Sequence, residues 1–221
     1  MELSKGITRA EKKDFWKIGA ISSLNNALSQ ALTLVGTFLV GLLLVDADLV
    51  AIYKASTTIP FALLFIPGAL IIYLYPYFAR HNKDREWTIS HYAKLIGFGT
   101  LLMGVVTIGF IITTKPIVIL VFGEQYLDSV LPMQILLIGF FINAAFRQPT
   151  GNLLVTQRKL MVNSIVGVIS IAFNVAASLI LIPRYGVVGA AVVYDLTMLL
   201  GAALSMPVYV RVIRTLPSTT T

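Results

Sequence analysis

Apolar runs long enough to cross a bilayer recur from residue 18 to residue 210, separated only by short polar connectors. Six are legible: 18–45, 50–79, 89–113, 130–155, 160–182 and 187–210. A spanning helix needs about 20 apolar residues. A chain of this pattern cannot hide so much apolar surface in a soluble core. It is 57% hydrophobic and 12% charged, against about 25% charged residues in an ordinary soluble domain. The expected fold is all-α, an integral membrane bundle of six transmembrane helices spanning 18–213. A cytoplasmic lead over 1–17 precedes it and a flexible cytoplasmic tail over 214–221 follows. The first run is too long for a signal-peptide core and lacks a small-residue exit, so it is expected to stay as a span.

The basic residues fix an expected orientation. Lys5, Arg9, Lys12, Lys13 and Lys17 precede the first run, and Arg80, Lys83 and Arg85 follow the second. Arg158 and Lys159 join the fourth and fifth runs, and Arg211 and Arg214 follow the sixth. The intervening connectors carry only Lys115 and Arg184. Retention of positive charge in the cytoplasm puts both termini there. A net charge of +7 does not point to nucleic acid, because the cations flank membrane ends and form no patch with interleaved aromatics. There is no cysteine, which excludes disulfides and thiolate chemistry. Walker, HExxH and Gly-x-Ser-x-Gly patterns are missing, and neither histidine has credible co-ligands. The reading is therefore not an enzyme, with no metal and no cofactor.

Prolines punctuate the runs. Pro60, Pro67 and Pro76 are expected to bend the second or divide it into half-helices. Pro183 and Gly186 enforce a tight turn between the last two runs. Gly189, Ala190 and Ala191 then let the neighbouring helix approach closely. The apolar connector 115–126 is expected to lie as a short helix at the interface.

Polar residues inside the runs mark candidate function, because lipid cannot satisfy them. Ser22, Asn26, Gln30, Thr33 and Thr37 are read as one stripe lining a cavity. Asn163, Gly167, Ser170, Asn174 and Ser178 form a second stripe, read as helix–helix packing. Arg147 lies deep in the fourth run, one turn from Asn143 and from Gly151, and is costly there unless paired or hydrated. Asp195 is the candidate partner or proton-responsive acid. Lys54 opens the second run, where snorkelling to the interface is the alternative.

Several segments together resemble the polysaccharide and oligosaccharide-lipid flippases of O-antigen transporter type, within the multidrug and polysaccharide exporter superfamily. They are Tyr53–Pro60 with Tyr73–Arg80, Phe122–Tyr126, Leu153–Lys159 and Ile182–Ala191. The likeness covers the second of that family's two six-helix bundles. It implies movement of a lipid-linked oligosaccharide by alternating access, with membrane lipid and a second bundle as partners. That bundle would come from another copy or a cognate half. With a lipid pyrophosphate as substrate, Arg147 and Lys54 become candidate anion contacts, Asn26, Gln30 and Asn143 further substrate contacts, and Asp195 the coupling acid. A drug-type exporter half, or a non-transporting partner in polysaccharide assembly, is the alternative.

Overall fold

The structure, a computed structural model, describes residues 9–217. Among them every regular element is helical: α1 (Arg9–Leu44), α2 (Ala47–Leu63), α3 (Phe65–Arg80), α4 (Arg85–Phe122), α5 (Val130–Ile142), α6 (Gln148–Thr156) and α7 (Leu160–Arg214). A 3-10 turn, Glu124–Ser129, links α4 to α5, and a π turn, Asn143–Arg147, links α5 to α6.

Among the described residues five helical stretches are long and apolar enough to cross a membrane: Phe15–Leu44, Ala47–Arg80, Arg85–Phe122, Glu124–Thr156 and Leu160–Arg214. Six were expected, and the difference lies in α7, whose 55 residues run through both of the last two predicted spans. Gly186 interrupts it with φ 58° and ψ −137°. Beyond Gly186 the chain folds back. Asn174 donates to the Thr197 hydroxyl at 3.0 Å, and the backbone of Gly189 presses against the Leu181 carbonyl. The two arms, 160–185 and 187–214, thus lie antiparallel. Gly189 permits the closeness of the turn, because a Cβ there would overlap that carbonyl.

Local chemistry sets the other boundaries. Asp46 and Asp84 cap α2 and α4, accepting from the Asp48 and Trp87 amides at 2.9 and 3.0 Å. The second predicted span divides as expected. The break falls at Leu64, three residues before Pro67, which cannot return a hydrogen bond to the preceding turn. Arg158 adopts φ 56° and closes α6 in a Schellman turn. Lys159 donates to the Leu154 carbonyl and Arg158 to the Val155 carbonyl, both at 2.9 Å.

One expectation fails. The connector 115–126 is no separate interfacial helix. Residues 115–122 continue α4 across Pro116 and stop only at Gly123, where φ is 95°. No helix stop precedes Gly123, and membrane helices tolerate proline. The predicted polar lead, where described, is the first part of α1. That helix has 36 residues and a length of about 54 Å, beyond a hydrocarbon core of about 30 Å. Residues 1–8 of the lead and 218–221 of the tail lie outside the described residues.

The bundle has an apolar cluster at each end. Leu39, Val40, Tyr53, Leu136, Ile182 and Ala191 pack beside the Gly186 turn. Phe78, Tyr92, Leu153, Leu154, Tyr209 and Ile213 pack at the other end. There the 81–84 and 156–159 turns are tied by Asn82 to the Thr156 carbonyl at 3.4 Å and Gln157 to the Asn82 carbonyl at 3.0 Å. Arg80, Lys83, Arg85, Arg158 and Lys159 therefore gather at one end. The polar residues of the spans lie between the two clusters.

Candidate functional site

A cavity of about 450 Å³ opens between α1, the π turn, α6 and both arms of α7. Amides dominate its polar lining: Asn25 and Asn26 from α1, Asn143, Gln148 and Asn152 around the π turn, and Asn163 from the first arm of α7. Ser22, Ser29, Thr33, Tyr194 and Ser205 add hydroxyls. Among the described residues Arg147 is its one charged lining residue, and no carboxylate lines it.

The π turn places Arg147. Pro149 has no N–H, and its ring occupies the room that the Ala145 carbonyl would need in a straight helix. The backbone widens just before it, and the Gln148 amide reaches back five residues to the Asn143 carbonyl. Such single wide turns often mark functional sites. Side chains hold carbonyls of the disturbed turn: Thr150 donates to Phe146 at 2.6 Å and Asn152 to Gln148 at 2.8 Å.

Arg147 crosses the second arm of α7 at Gly201. Its Cδ would lie 2.7 Å from a Cβ there, and its Nε would overlap that Cβ. Nε is buried without a hydrogen-bond partner. Asp195 is seated in the same manner over Gly139 of α5, and its Oδ1 is likewise buried and unpartnered. The two charged residues are not joined by an ion pair. The helix pair runs parallel, with residue 139 opposite 195 and 147 opposite 201, so the charges stand six to eight residues apart along it, on the order of 10 Å. Tyr194, which lines the cavity, lies beside Asn143 and within electrostatic reach of both charges.

Of the expected substrate and coupling residues, the cavity brings together Arg147, Asn143 and Asn26, and Ser22 and Thr33 of the first stripe also line it. Lys54, Gln30 and Asp195 lie outside it: Lys54 and Gln30 are exposed on the bundle surface, and Asp195 is half-buried in the α5–α7 seam. Asn25, Ser29, Gln148, Asn152 and Tyr194 were not anticipated. Helical geometry gives the signal that was missed for α1. From Ser22, Ser29 lies about 20° round the helix and Thr33 about 20° the other way, whereas Gln30 is about 80° away. The four-residue step from Asn26 to Gln30 overshoots the turn. Not every lining amide is free. Asn25 donates to the Leu160 carbonyl at 3.2 Å and accepts from Ser164 at 2.8 Å, and Asn163 donates to the Gly151 carbonyl at 2.7 Å. The second stripe divides. Asn163 and Gly167 reach the cavity, while Ser170, Asn174 and Ser178 are buried in helix packing.

A family model described as "Polysaccharide biosynthesis protein" matches residues 3–131. The chain is also similar to a Shigella flexneri protein named "Putative O-antigen transporter", 24% identical over 200 residues. That alignment covers 90% of this chain and 47% of the relative, so the chain spans about half the relative's length. No solved structure matches it. The helical bundle of apolar, membrane-length stretches and the match over more than half of the sequence lead to one conclusion: this multipass membrane chain belongs to the polysaccharide biosynthesis protein family.

Proposed function

We propose that this chain is one bundle of a flippase that moves a lipid-linked oligosaccharide across the cytoplasmic membrane. The observation that carries the reading is the cavity itself. It is polar at membrane depth, lined by no carboxylate among the described residues, and holds one arginine whose Nε is buried without a hydrogen-bond partner. A guanidinium suits a phosphate or pyrophosphate through its planar fork of donors. The amides and hydroxyls around it suit the hydroxyl groups of a glycan, and Asn143 and Asn26 are the proposed contacts nearest in kind. Export of cationic drugs fits less well, because no acid among the described residues lines the cavity.

The reading extends to a whole mechanism. Six crossings, with the Gly186 turn outside and both termini in the cytoplasm, put the basic end of the bundle in the cytoplasm. Transport by alternating access needs a second bundle rocking against this one. Two observations support such a partner. The chain spans about half of its relative, and Ser23, Asn26, Ser29 and Gln30 of α1 are exposed at membrane depth, where lipid would leave them unsatisfied. Gln30 and Lys54 then line the face toward the second bundle. Asp195, seated in the α5–α7 seam, is the proposed coupling acid.

Complementation of a flippase-deficient strain by this chain, supplied with a cognate first half, tests the proposal. Arg147→Ala is expected to lower transport at least about tenfold, equivalent to ~1.4 kcal/mol, and Arg147→Lys by less. Full transport with Arg147→Ala overturns the assignment of the cavity.

A further inference from the structure

A chain of hydrogen bonds reaches Arg147 from the side of the bundle away from the cavity. Thr150 is fully buried. Its hydroxyl has one proton, which it gives to the Phe146 carbonyl 2.6 Å away. At 2.9 Å from the Tyr92 hydroxyl it must then act as acceptor. The chain thus has one direction, from Tyr92 on α4 through Thr150 on α6 to the carbonyl of Phe146 in the π turn. Tyr92 is itself buried, and it packs edge-on against Tyr209 with ring centroids 4.7 Å apart.

The end point of this chain matters. The Phe146 carbonyl and the Arg147 amide belong to a single planar peptide unit. A bond that fixes the carbonyl also fixes the backbone from which Arg147 projects. A π turn departs from the regular helical ladder for a single turn, frequently at a functional site. The peptide plane from which Arg147 projects lies at the end of that turn, and Thr150 holds it.

We infer that Tyr92 and Thr150 are positioning residues: they aim Arg147 into the cavity through the Phe146 carbonyl, touching no substrate themselves. The inference rests on the proposed function for its purpose but not for its test. Tyr92 lies 58 positions earlier in the sequence, so the aim of the cavity arginine depends on a helix that contributes no cavity-lining residue.

The pose of Arg147 can be read without transport. Phenylglyoxal modifies water-accessible guanidinium groups, and peptide mass spectrometry resolves each site. Purified protein would be labelled, with Arg184 as internal reference. Thr150→Val, which keeps the shape and removes the hydroxyl, is expected to change the labelling rate of Arg147 at least threefold. Thr150→Ser, which keeps the donor, should stay within twofold of wild type, and Tyr92→Phe should shift the rate in the same direction as Thr150→Val but less. An unchanged Arg147 rate in folded Thr150→Val overturns the inference. Should that variant fail to fold, an unchanged rate in Tyr92→Phe overturns it alone. Transport that ignores Arg147→Ala would instead overturn the proposed function and leave the labelling result standing.

Discussion

Arg147 and Gly201 touch across two parallel helices so closely that the glycine has no room for a methyl group beside Nε and Cδ of the arginine. Gly201 is thus a seat for a charged side chain. Gly201→Ala should push Arg147 off the helix and lower transport at least about tenfold, since overpacking a tight contact costs about 1–3 kcal/mol. The double variant Gly201→Ala/Arg147→Ala should transport no worse than Arg147→Ala alone, because the two changes act on one contact. Additive losses in the complementation assay would show that Gly201 acts elsewhere.

Gly139 makes the reciprocal contact with Asp195 and Tyr194. A Cβ on Gly139 would lie 2.8 Å from Tyr194 Cδ1 and 3.0 Å from Asp195 Cγ. Gly97 and Gly109 of α4, by contrast, have nothing within 4 Å of that position. Alanine in an open helical site gains up to about 1 kcal/mol over glycine. Thermal unfolding in detergent should therefore rank the variants: Gly97→Ala and Gly109→Ala at or above wild type, Gly139→Ala below it. Equal midpoints for all three would refute the close packing of the α5–α7 seam.

These contacts separate what a sequence can disclose from what it cannot. The membrane class, the Pro-rich break in the second span and the turn before Gly189 were legible, because each rests on residues near one another in the chain. The depth of Arg147 was legible from its distance to Thr156. Its seat on Gly201 was not, since Gly201 looks like any small residue of a membrane helix. The separation of Arg147 from Asp195 was equally hidden, because the offset between two parallel helices is a tertiary quantity. Pro149 and Gly151 marked a weak place in the fourth span, yet the direction of its distortion, a wider turn, emerges only from the hydrogen bond of Gln148 to Asn143. In α1, residues spaced by fours were read as one face, and the helix had already turned away by Gln30.

Orientation can be mapped directly, because the chain has no cysteine and every introduced one is the sole thiol. Tyr185, 64% exposed beside Gly186, should become labelled by a membrane-impermeant maleimide in intact cells when changed to cysteine. Lys83→Cys and Arg158→Cys should react only after the membrane is opened. Opposite accessibility at 158 and 185 would place the first arm of α7 across the bilayer. Labelling of both from outside would remove the proposed orientation.

Pro149 should trade stability for function. Proline costs about 3 kcal/mol in a helix interior relative to alanine, and here the π turn accommodates it. Pro149→Ala restores an N–H and removes the ring that displaces the Ala145 carbonyl, so the turn is free to close into an ordinary helix. Closing it removes one residue from the wide turn and rotates the flanking segments by about 100° relative to each other. Asn143 and Arg147 would then no longer face the cavity together. The variant is expected to unfold at the same or a higher temperature than wild type while transport falls at least about tenfold. Full transport by a protein of undiminished stability would mean that the wide turn does not serve to aim Arg147.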